Sequence, residues 1–302
     1  MKAFYRQKTP IDIENLPNID RDKYPTNSDF AAVKFTKGCP YDCEFCSIAH
    51  RKFGKVYRKK SIEKVIEDVK SIKQRYIFIA DPNLTIDVEY TKDILKHLKS
   101  MNKKFVYCQA NINVLGEDDE LLRLARDAGF VEWHVGFESV SSRALQSTSK
   151  KTNRVDNYLK SIKKVNDYGM SIVGEFVFGF DTDTIDIFER TKNVIKDWDI
   201  QPGFQVLIPY PGSPLFNRLL KDGRILTRDW SRYNIWEVVF QPKNMSPKEL
   251  NQGVMDMWKN FYSYKHVLKR SIKNLKFGPY QFLWRTRSNL AFASTLTYHQ
   301  DS

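Results

Sequence analysis

The sequence predicts an α/β protein whose core consists of six strand–helix units. Short apolar segments alternate with segments of helical periodicity over roughly 190 residues, which indicates parallel strands joined by crossover helices. The chain of 302 residues is also 41% apolar, enough for a substantial core. Six units are too few for a closed eight-fold barrel. An open, partial (β/α)6 barrel or a doubly wound sheet fits the count.

The positions of the six strands and six helices follow from short-range sequence patterns. Short apolar segments mark the six predicted strands, at 31–36, 76–80, 105–109, 131–137, 171–178 and 204–208. Segments with apolar residues at helical spacing mark six predicted helices, at 61–74, 88–101, 117–128, 155–168, 184–197 and 214–220. Ser61 is placed to cap the first helix, and Gly129 and Gly169 close the third and fourth.

The two ends of the chain differ from this core. Residues 1–28 contain three prolines and little periodicity, which predicts an extended leader. Residues 29–223 carry the strand–helix units. Residues 224–302 are rich in aromatic and basic side chains and show helical patterns at 248–262 and 263–275. We therefore expect a mainly helical, aromatic-rich C-terminal extension.

The composition narrows the class of protein. The formal net charge of +13 bears on partners and solubility rather than on fold. We find no nucleic-acid-binding motif, and the basic residues are spread along the chain, so a solvated basic surface is favoured over a nucleic-acid partner. No apolar run approaches the ~18 residues of a transmembrane segment, and the N-terminus lacks the apolar core of a signal peptide. A cytoplasmic protein is expected.

A cluster of cysteines is the most informative feature. Three of the four cysteines, Cys39, Cys43 and Cys46, have the spacing C-x3-C-x2-C. Thiolates bind soft metals and iron–sulfur clusters, and three ligands on a four-iron cluster leave one iron open for a substrate or cofactor. A closed zinc site with His50 as the fourth ligand is the alternative. The iron–sulfur interpretation is favoured because the cysteines follow a predicted buried strand and do not form a small independent module.

Other polar residues are predicted to lie near the cysteines. In sheets of parallel strands, functional residues lie at the carboxyl ends of the strands. Cys39 follows the first predicted strand, Asp81 the second and Glu138 the fourth. Glu175 and Gln205 lie within the fifth and sixth strands, where polar groups on apolar strands usually face a wet cavity. We expect these residues to surround one pocket.

The cysteine motif, with the aromatic Phe45 just before its last cysteine, resembles the signature of the radical S-adenosylmethionine (SAM) superfamily. Further segments over roughly residues 30–240 resemble the radical domain of the cobalamin-binding-type branch of that superfamily. These segments are Cys39 to Ile48, Asp81-Pro82-Asn83, Gly136-Phe137-Glu138-Ser139, Gly179-Phe180-Asp181-Thr182-Asp183, Pro209-Tyr210-Pro211-Gly212-Ser213-Pro214 and Gly223-Arg224. The resemblance implies a partial (β/α)6 TIM-like barrel.

The resemblance also implies an enzyme. Cys39, Cys43 and Cys46 would be the catalytic and metal-binding residues that hold a [4Fe-4S] cluster. Reductive cleavage of SAM would yield a 5′-deoxyadenosyl radical that abstracts hydrogen from a small-molecule substrate, anionic or lipid-like. An electron donor such as flavodoxin or ferredoxin would be a partner. The alternatives are an RNA-modifying radical enzyme and a non-enzymatic iron–sulfur or zinc protein.

Positions in the motifs imply roles for single residues. Phe45 would lie over the adenine of SAM, with ordinary core packing as the alternative. Asp81 and Asn83 would lie near the methionine amino group, although this chain has Asp-Pro-Asn where many relatives have Gly-Gly-Glu. Glu138 and Ser139 would bind the ribose hydroxyls and the methionine carboxylate, because a carboxylate suits two hydroxyl donors. A helix-capping or salt-bridge role is the alternative for Glu138.

The remaining assignments concern the pocket and one further thiol. Glu175, Gly179 and Gln205 complete the expected cofactor-binding set, and Glu175 and Gln205 are also candidates for the substrate pocket. Gly174 and Gly179 would allow close approach of the backbone to the adenosyl group. The fourth cysteine, Cys108, is expected to be a buried strand residue.

The sequence departs from this branch at its start. Residues 11–25 resemble the linker that follows the cobalamin-binding domain of the branch, and the chain has no room for that domain before them. Bound cobalamin is therefore not expected from this chain, although a separate subunit could supply it. The chain also has no second cysteine cluster, which argues against methylthiotransferases and enzymes with auxiliary clusters.

Overall fold

The centre of the molecule is a parallel sheet of six strands. The computed structural model describes residues 8–23 and 28–298. Its strands, in chain order, are β1 (Phe30–Val33), β2 (Thr36–Lys37), β3 (Arg58–Lys59), β4 (Tyr76–Ile79), β5 (Lys104–Ala110), β6 (Glu132–Glu138), β7 (Ser171–Phe178) and β8 (Gln201–Val206). The large sheet has the order β1-β4-β5-β6-β7-β8, and its neighbours are parallel throughout. The short strands β2 and β3 form a separate antiparallel pair.

The order of the strands decides between the two predicted architectures. A doubly wound sheet reverses its direction of growth at a switch point. Here each strand of the large sheet lies beside the one that precedes it in the chain. In the part of the chain that the structure describes, β1 and β8 do not pair, so the barrel stays open. The predicted α/β fold, a partial (β/α)6 TIM-like barrel, is confirmed.

Helices connect the strands and continue beyond the last one. They are α1 (Ile62–Lys70), α2 (Val88–Leu98), α3 (Ile112–Glu117), α4 (Asp119–Ala128), α5 (Ser142–Ser147), α6 (Tyr158–Asp167), α7 (Ile187–Ile195), α8 (Pro214–Lys221), α9 (Pro247–Phe261), α10 (Tyr264–Asn274) and α11 (Gly278–Tyr298). The side chain of Ser61 caps α1, as predicted. Gly129 ends α4 in the left-handed conformation, at φ 92°, which glycine adopts without a steric penalty.

The structure adds elements that the sequence patterns did not predict. Helices α3 and α5 have six residues each, too few to show a periodicity, although Asn111 and Ser141 cap them. Helix α11 was also missed, because its apolar residues do not form a single face. Strand β8 begins at Gln201, three residues earlier than predicted.

The helices after residue 246 pack on the barrel. On β8, the edge strand of the sheet, the carbonyls of Phe204 and Pro202 accept hydrogen bonds from Trp258 Nε1 and the Tyr262 hydroxyl, both at 2.7 Å. These contacts cover part of an edge that would otherwise expose unpaired backbone groups. Helix α11 crosses the amino end of the barrel, where Arg285 donates to the Met170 carbonyl at 2.8 Å.

The predicted leader is described only in part, because residues 1–7 and 24–27 lie outside the described residues. In the described part, the Glu14 carboxylate accepts hydrogen bonds from the backbone N–H and the hydroxyl of Ser61, at 2.7 and 2.8 Å. The leader thereby contacts the start of α1. Among the described residues, the structure has no helix with the length and apolar character needed to cross a bilayer.

Candidate active site

A cavity of about 420 Å³ opens at the carboxyl ends of the barrel strands. This volume lies in the usual range for small-molecule sites. The lining includes eight residues that the sequence singled out: Cys39, Cys43, Phe45, Cys46, Asn83, Glu138, Glu175 and Gln205. It also includes polar or aromatic residues that the sequence did not single out, among them Tyr107, Gln109, Asn111, His134, Lys150 and Asn153.

The loop that carries the cysteines is shaped by its own backbone. The Cys39 N–H donates to the Gly54 carbonyl at 2.9 Å, and the Cys46 N–H donates to the Cys43 carbonyl at 3.0 Å. Gly38 has φ +94°, and a Cβ atom there would lie 2.2 Å from the Val56 carbonyl oxygen. Only glycine fits this position, because it combines a left-handed conformation with a close backbone approach.

Burial changes the acidity of the Cys39 and Cys43 thiols. Cys43 is buried, and Cys39 and Cys46 are partly buried beside the cavity. Burial raises the pKa of the Cys39 thiol, and it raises the pKa of the Cys43 thiol to about 11. A bound metal replaces the protons of its thiol ligands. The Cys39 and Cys43 sulfurs are therefore more stable as metal ligands than as free thiolates.

The arrangement around the cysteines fits a multi-iron cluster better than a closed zinc site. His50, the fourth ligand of the zinc alternative, donates from Nε2 to the Cys43 carbonyl at 3.1 Å and lies 3.6 Å from Asp42 Oδ1. Among the residues that the structure describes, no three His, Cys, Asp or Glu side chains are set to hold one metal ion. Each cysteine of an iron–sulfur cubane binds a different iron, so the thiols surround the cluster and do not converge on one atom.

An ion-pair network ties the cysteine loop to α8. Arg218 donates from Nε and Nη2 to the two carboxylate oxygens of Glu44, at 2.6 and 3.2 Å, and from Nη1 to Asp181 at 2.5 Å. Arg224 donates to the other oxygen of Asp181 at 2.8 Å. We call these four residues the Arg218 network. It joins the cysteine loop, which lies between β2 and β3, to α8, the helix after β8, across the gap where the barrel is open.

Glu138 occupies a strained position at the end of β6. Its φ of 62° is rare for a residue with a side chain, and the pairing register with β7 shifts at this point. The Glu138 carboxylate accepts a hydrogen bond from Lys150 Nζ at 2.8 Å, so the salt-bridge alternative is realised within the cavity lining. Burial disfavours the charge of Lys150, but Glu138 and the nearby Cys43 outweigh burial and raise the pKa of the lysine.

Three residues predicted to contact the cofactor lie outside the cavity lining. Asp81 is buried, and its two oxygens accept hydrogen bonds from the backbone N–H groups of Phe35 and Thr36 and from the Thr36 hydroxyl. The Asp81 carboxylate thus anchors the backbone that follows β1. The Ser139 hydroxyl accepts from the Ser141 N–H at 3.1 Å and turns toward the start of α5.

Gly179 also has a structural role. Its N–H donates to Asp183 Oδ2 at 3.0 Å, and a Cβ atom there would lie 2.7 Å from the Leu250 side chain. It therefore packs against α9 and not against the cavity. Cys108 is fully buried on β5, as predicted, and is not part of the lining.

Strand periodicity could have revealed part of the missed lining. Tyr107 and Gln109 on β5, and His134 and Glu138 on β6, are separated by even numbers of residues and therefore face the same side of the sheet. Polar residues repeated on one face of an apolar strand indicate a wet interior. Lys150 lies in a turn after α5, where no periodic signal exists.

Comparison with known proteins finds a matching family model and relatives that align with most of this chain. The model of the family described as the radical SAM superfamily matches residues 33–195, more than half of the chain. The chain is 28% identical over 265 residues to bacteriochlorophyllide d C-12(1)-methyltransferase of Chlorobaculum tepidum, a match that covers 85% of this chain and 56% of that protein. It is 27% identical over 276 residues to the anaerobic magnesium-protoporphyrin IX monomethyl ester cyclase of Rubrivivax gelatinosus, covering 85% and 48%.

A solved structure shares the fold. The methyltransferase TsrM from Kitasatospora setae, determined with cobalamin and a [4Fe-4S] cluster bound, aligns with a TM-score of 0.62 at 15% identity. The alignment covers 89% of this chain and 61% of that protein. The matches to the methyltransferase of Chlorobaculum tepidum and the cyclase of Rubrivivax gelatinosus show that the chain spans about half the length of these curated relatives.

Proposed function

The chain belongs to the radical SAM superfamily, and on that premise we propose that Cys39, Cys43 and Cys46 hold a [4Fe-4S] cluster for the reductive cleavage of SAM. The observation that carries this proposal is the placement of three thiols on one cavity, at the carboxyl ends of six parallel strands. Family membership makes the chain an enzyme that uses a [4Fe-4S] cluster and SAM. When bound, these groups supply an electron and a carbon-centred radical.

The protein side of the reaction is binding and orientation. Cys39, Cys43 and Cys46 would hold the cluster and would leave one of its irons without a protein ligand, available to the amino and carboxylate groups of SAM. Lys150 lies close enough to Cys43 and Cys46 to stabilise their negative charge. Glu138 uses Oε1 for Lys150 and keeps Oε2 for the ribose hydroxyls.

Two more residues of the lining complete the proposed SAM site. Phe45 lies in the cysteine loop with its ring 5.9 Å from that of Phe180, and in this proposal it would cover the adenine of SAM. Asn83 accepts from the N–H and the hydroxyl of Thr85 at 2.8 and 2.7 Å, which fixes its side-chain amide at the rim of the cavity.

The proposed reaction removes hydrogen from a carbon of a small-molecule or lipid-like substrate held in the cavity. Methyl transfer is the second candidate, supported by the 28% identical bacteriochlorophyllide d methyltransferase. Mass spectrometry of the product separates the two, because methyl transfer adds a CH2 unit to the substrate and hydrogen removal alone does not. A cytoplasmic location and a flavodoxin or ferredoxin as electron donor belong to the same proposal.

Anaerobic reconstitution tests the proposal. The wild-type chain, supplied with iron and sulfide, is expected to form a brown chromophore and, with a reductant, to release 5′-deoxyadenosine from SAM. Cys43→Ala should abolish both, because it removes one cluster ligand. Cys108→Ala is the matched control: it removes a buried thiol outside the cavity and should keep chromophore and cleavage. A wild-type chromophore without SAM cleavage would contradict the proposal.

A further inference from the structure

The base of the cavity contains the carboxylate of Glu175. Glu175, on β7, accepts a hydrogen bond from Gln205 Nε2 on β8 at 2.7 Å. Among the residues that the structure describes, no lysine or arginine forms an ion pair with it. The Glu175 side chain is partly buried and lines the cavity. A partly buried carboxylate is stabilised by a ligand that supplies a positive charge.

The neighbouring strand leaves room for this carboxylate. Gly203 pairs with Glu175 across the sheet, and a Cβ atom on Gly203 would lie 2.3 Å from Glu175 Oε2 and 2.9 Å from Oε1. Gly136 accommodates Glu138 in the same way, with a Cβ position 2.3 Å from Oε1. The two carboxylates differ in their hydrogen-bond partners: Glu138 pairs with the ammonium of Lys150, whereas Glu175 accepts from the neutral amide of Gln205.

Among the described residues, the rest of the base consists of aromatic rings, amides and the imidazole of His134. The rings of Tyr107 and His134 lie 4.0 Å apart, and Gln109 donates to the Tyr107 oxygen at 2.8 Å. His134 Nε2 lies 3.5 Å from the Glu132 carboxylate, so this ring is already directed at another acid. Burial raises the pKa of Glu175, and the hydrogen bond from Gln205 and the nearby His134 offset this effect only in part.

We propose that Glu175, oriented by Gln205, binds a protonated nitrogen group of the substrate, a primary ammonium or a guanidinium, at the base of the cavity. The aromatic face of Tyr107 supports such a cation. This inference rests on the proposed function, because it takes the cavity as the substrate site. Glu175 would favour substrates with an amino or guanidino group over the anionic substrates that the net charge suggested, because its carboxylate would repel an anion at the base of the cavity.

Binding of simple probes to the reconstituted wild-type enzyme tests the inference. The probes are benzylammonium, its neutral isostere benzyl alcohol, and the anion benzoate. Affinities are measured by ligand-observed NMR with saturating SAM and no reductant. Benzylammonium should bind at least tenfold more tightly than the other two. Glu175→Gln keeps the shape and the acceptor for Gln205 and should erase this preference. Glu63→Gln, which removes an exposed carboxylate on α1, should keep it.

Three results would overturn the inference. The wild type could bind benzyl alcohol as tightly as benzylammonium, or the preference could survive in Glu175→Gln. Benzylammonium could also bind at least tenfold more tightly to the SAM-free enzyme than to the SAM-saturated enzyme, which would assign the carboxylate to SAM. Iron content and visible absorbance of each variant show that the protein is folded and loaded. Failure of the proposed function gives a different result, because the wild-type chain then takes up no cluster or cleaves no SAM. An enzyme that cleaves SAM but shows no amine preference refutes the inference alone.

Discussion

Arg218 holds the cysteine loop against α8, and Arg218→Ala is expected to loosen the cluster site. In the variant, Asp181 keeps Arg224 as a partner, but Glu44 loses the cation that contacts both of its oxygens. Exposed ion pairs contribute about 0.2–1 kcal/mol, and removal of one partner from a buried pair costs about 3–5 kcal/mol. The side chains of Glu44 and Arg218 are 17% and 37% exposed, between these limits. We expect a cost of about 2 kcal/mol, roughly thirtyfold in the population of the detached loop.

The assay is the anaerobic release of iron to a ferrous chelator from the reconstituted enzyme. If the cluster is lost from the detached loop, release should be on the order of ten to thirty times faster in Arg218→Ala. Arg232→Ala is the matched control, because Arg232 also donates to a glutamate, Glu237 at 2.8 Å, but at an exposed site away from the cysteines. A release rate in Arg218→Ala equal to that of the control would refute the reasoning, as would additive effects of Glu44→Gln and Arg218→Ala.

Three further predictions concern other parts of the molecule. Lys150→Met leaves Glu138 without its cation and should weaken SAM binding, measured by calorimetry, at least tenfold. The double variant Lys150→Met with Glu138→Gln should recover the melting temperature but not the affinity for SAM. Recovery of both would contradict the proposed role of Glu138. Trp258→Phe leaves the Phe204 carbonyl without its donor and should lower the free energy of unfolding by about 1–3 kcal/mol in urea titrations, whereas the exposed Trp230→Phe should change it by less than about 0.5 kcal/mol. Burial raises the pKa of Asp183 from 3.8 to about 6, so between these pH values the native state binds more protons than the unfolded state. The free energy of unfolding should therefore fall as the pH rises from 3.8 to about 6, by up to about 3 kcal/mol from this group. Asp183→Asn should remove that slope, and an unchanged slope would show that other groups cause it.

Much of the fold could be predicted because the barrel repeats one simple pattern. Buried parallel strands are short apolar runs, and the helices between them show one apolar face, so all six units were identified and β7 was predicted with its observed bounds. Periodicity fails where elements are short, as in α3 and α5. It also fails in α11, where contacts with the base of the barrel, such as that of Arg285, replace an apolar stripe.

The candidate site was predictable where chemistry depends on close spacing in the chain. The three cysteines lie in one loop, so their spacing alone brought them together. Position in the sequence was a weaker guide for Asp81. It follows its strand as expected, but its two carboxylate oxygens accept hydrogen bonds from the backbone N–H groups of Phe35 and Thr36. Lys150 and Arg218 contact the site through tertiary pairs, and a single sequence contains no signal for such pairs.

Mössbauer spectroscopy of the iron-57-reconstituted chain tests the central claim most directly. The account predicts one [4Fe-4S] cluster per chain, with three irons bound by Cys39, Cys43 and Cys46 and a fourth iron whose signal changes when SAM is added. Loss of this cluster in Cys43→Ala but not in Cys108→Ala would complete the result. A spectrum that SAM leaves unchanged, or a cluster that persists in Cys43→Ala, would contradict the assignment of an open iron to these three cysteines.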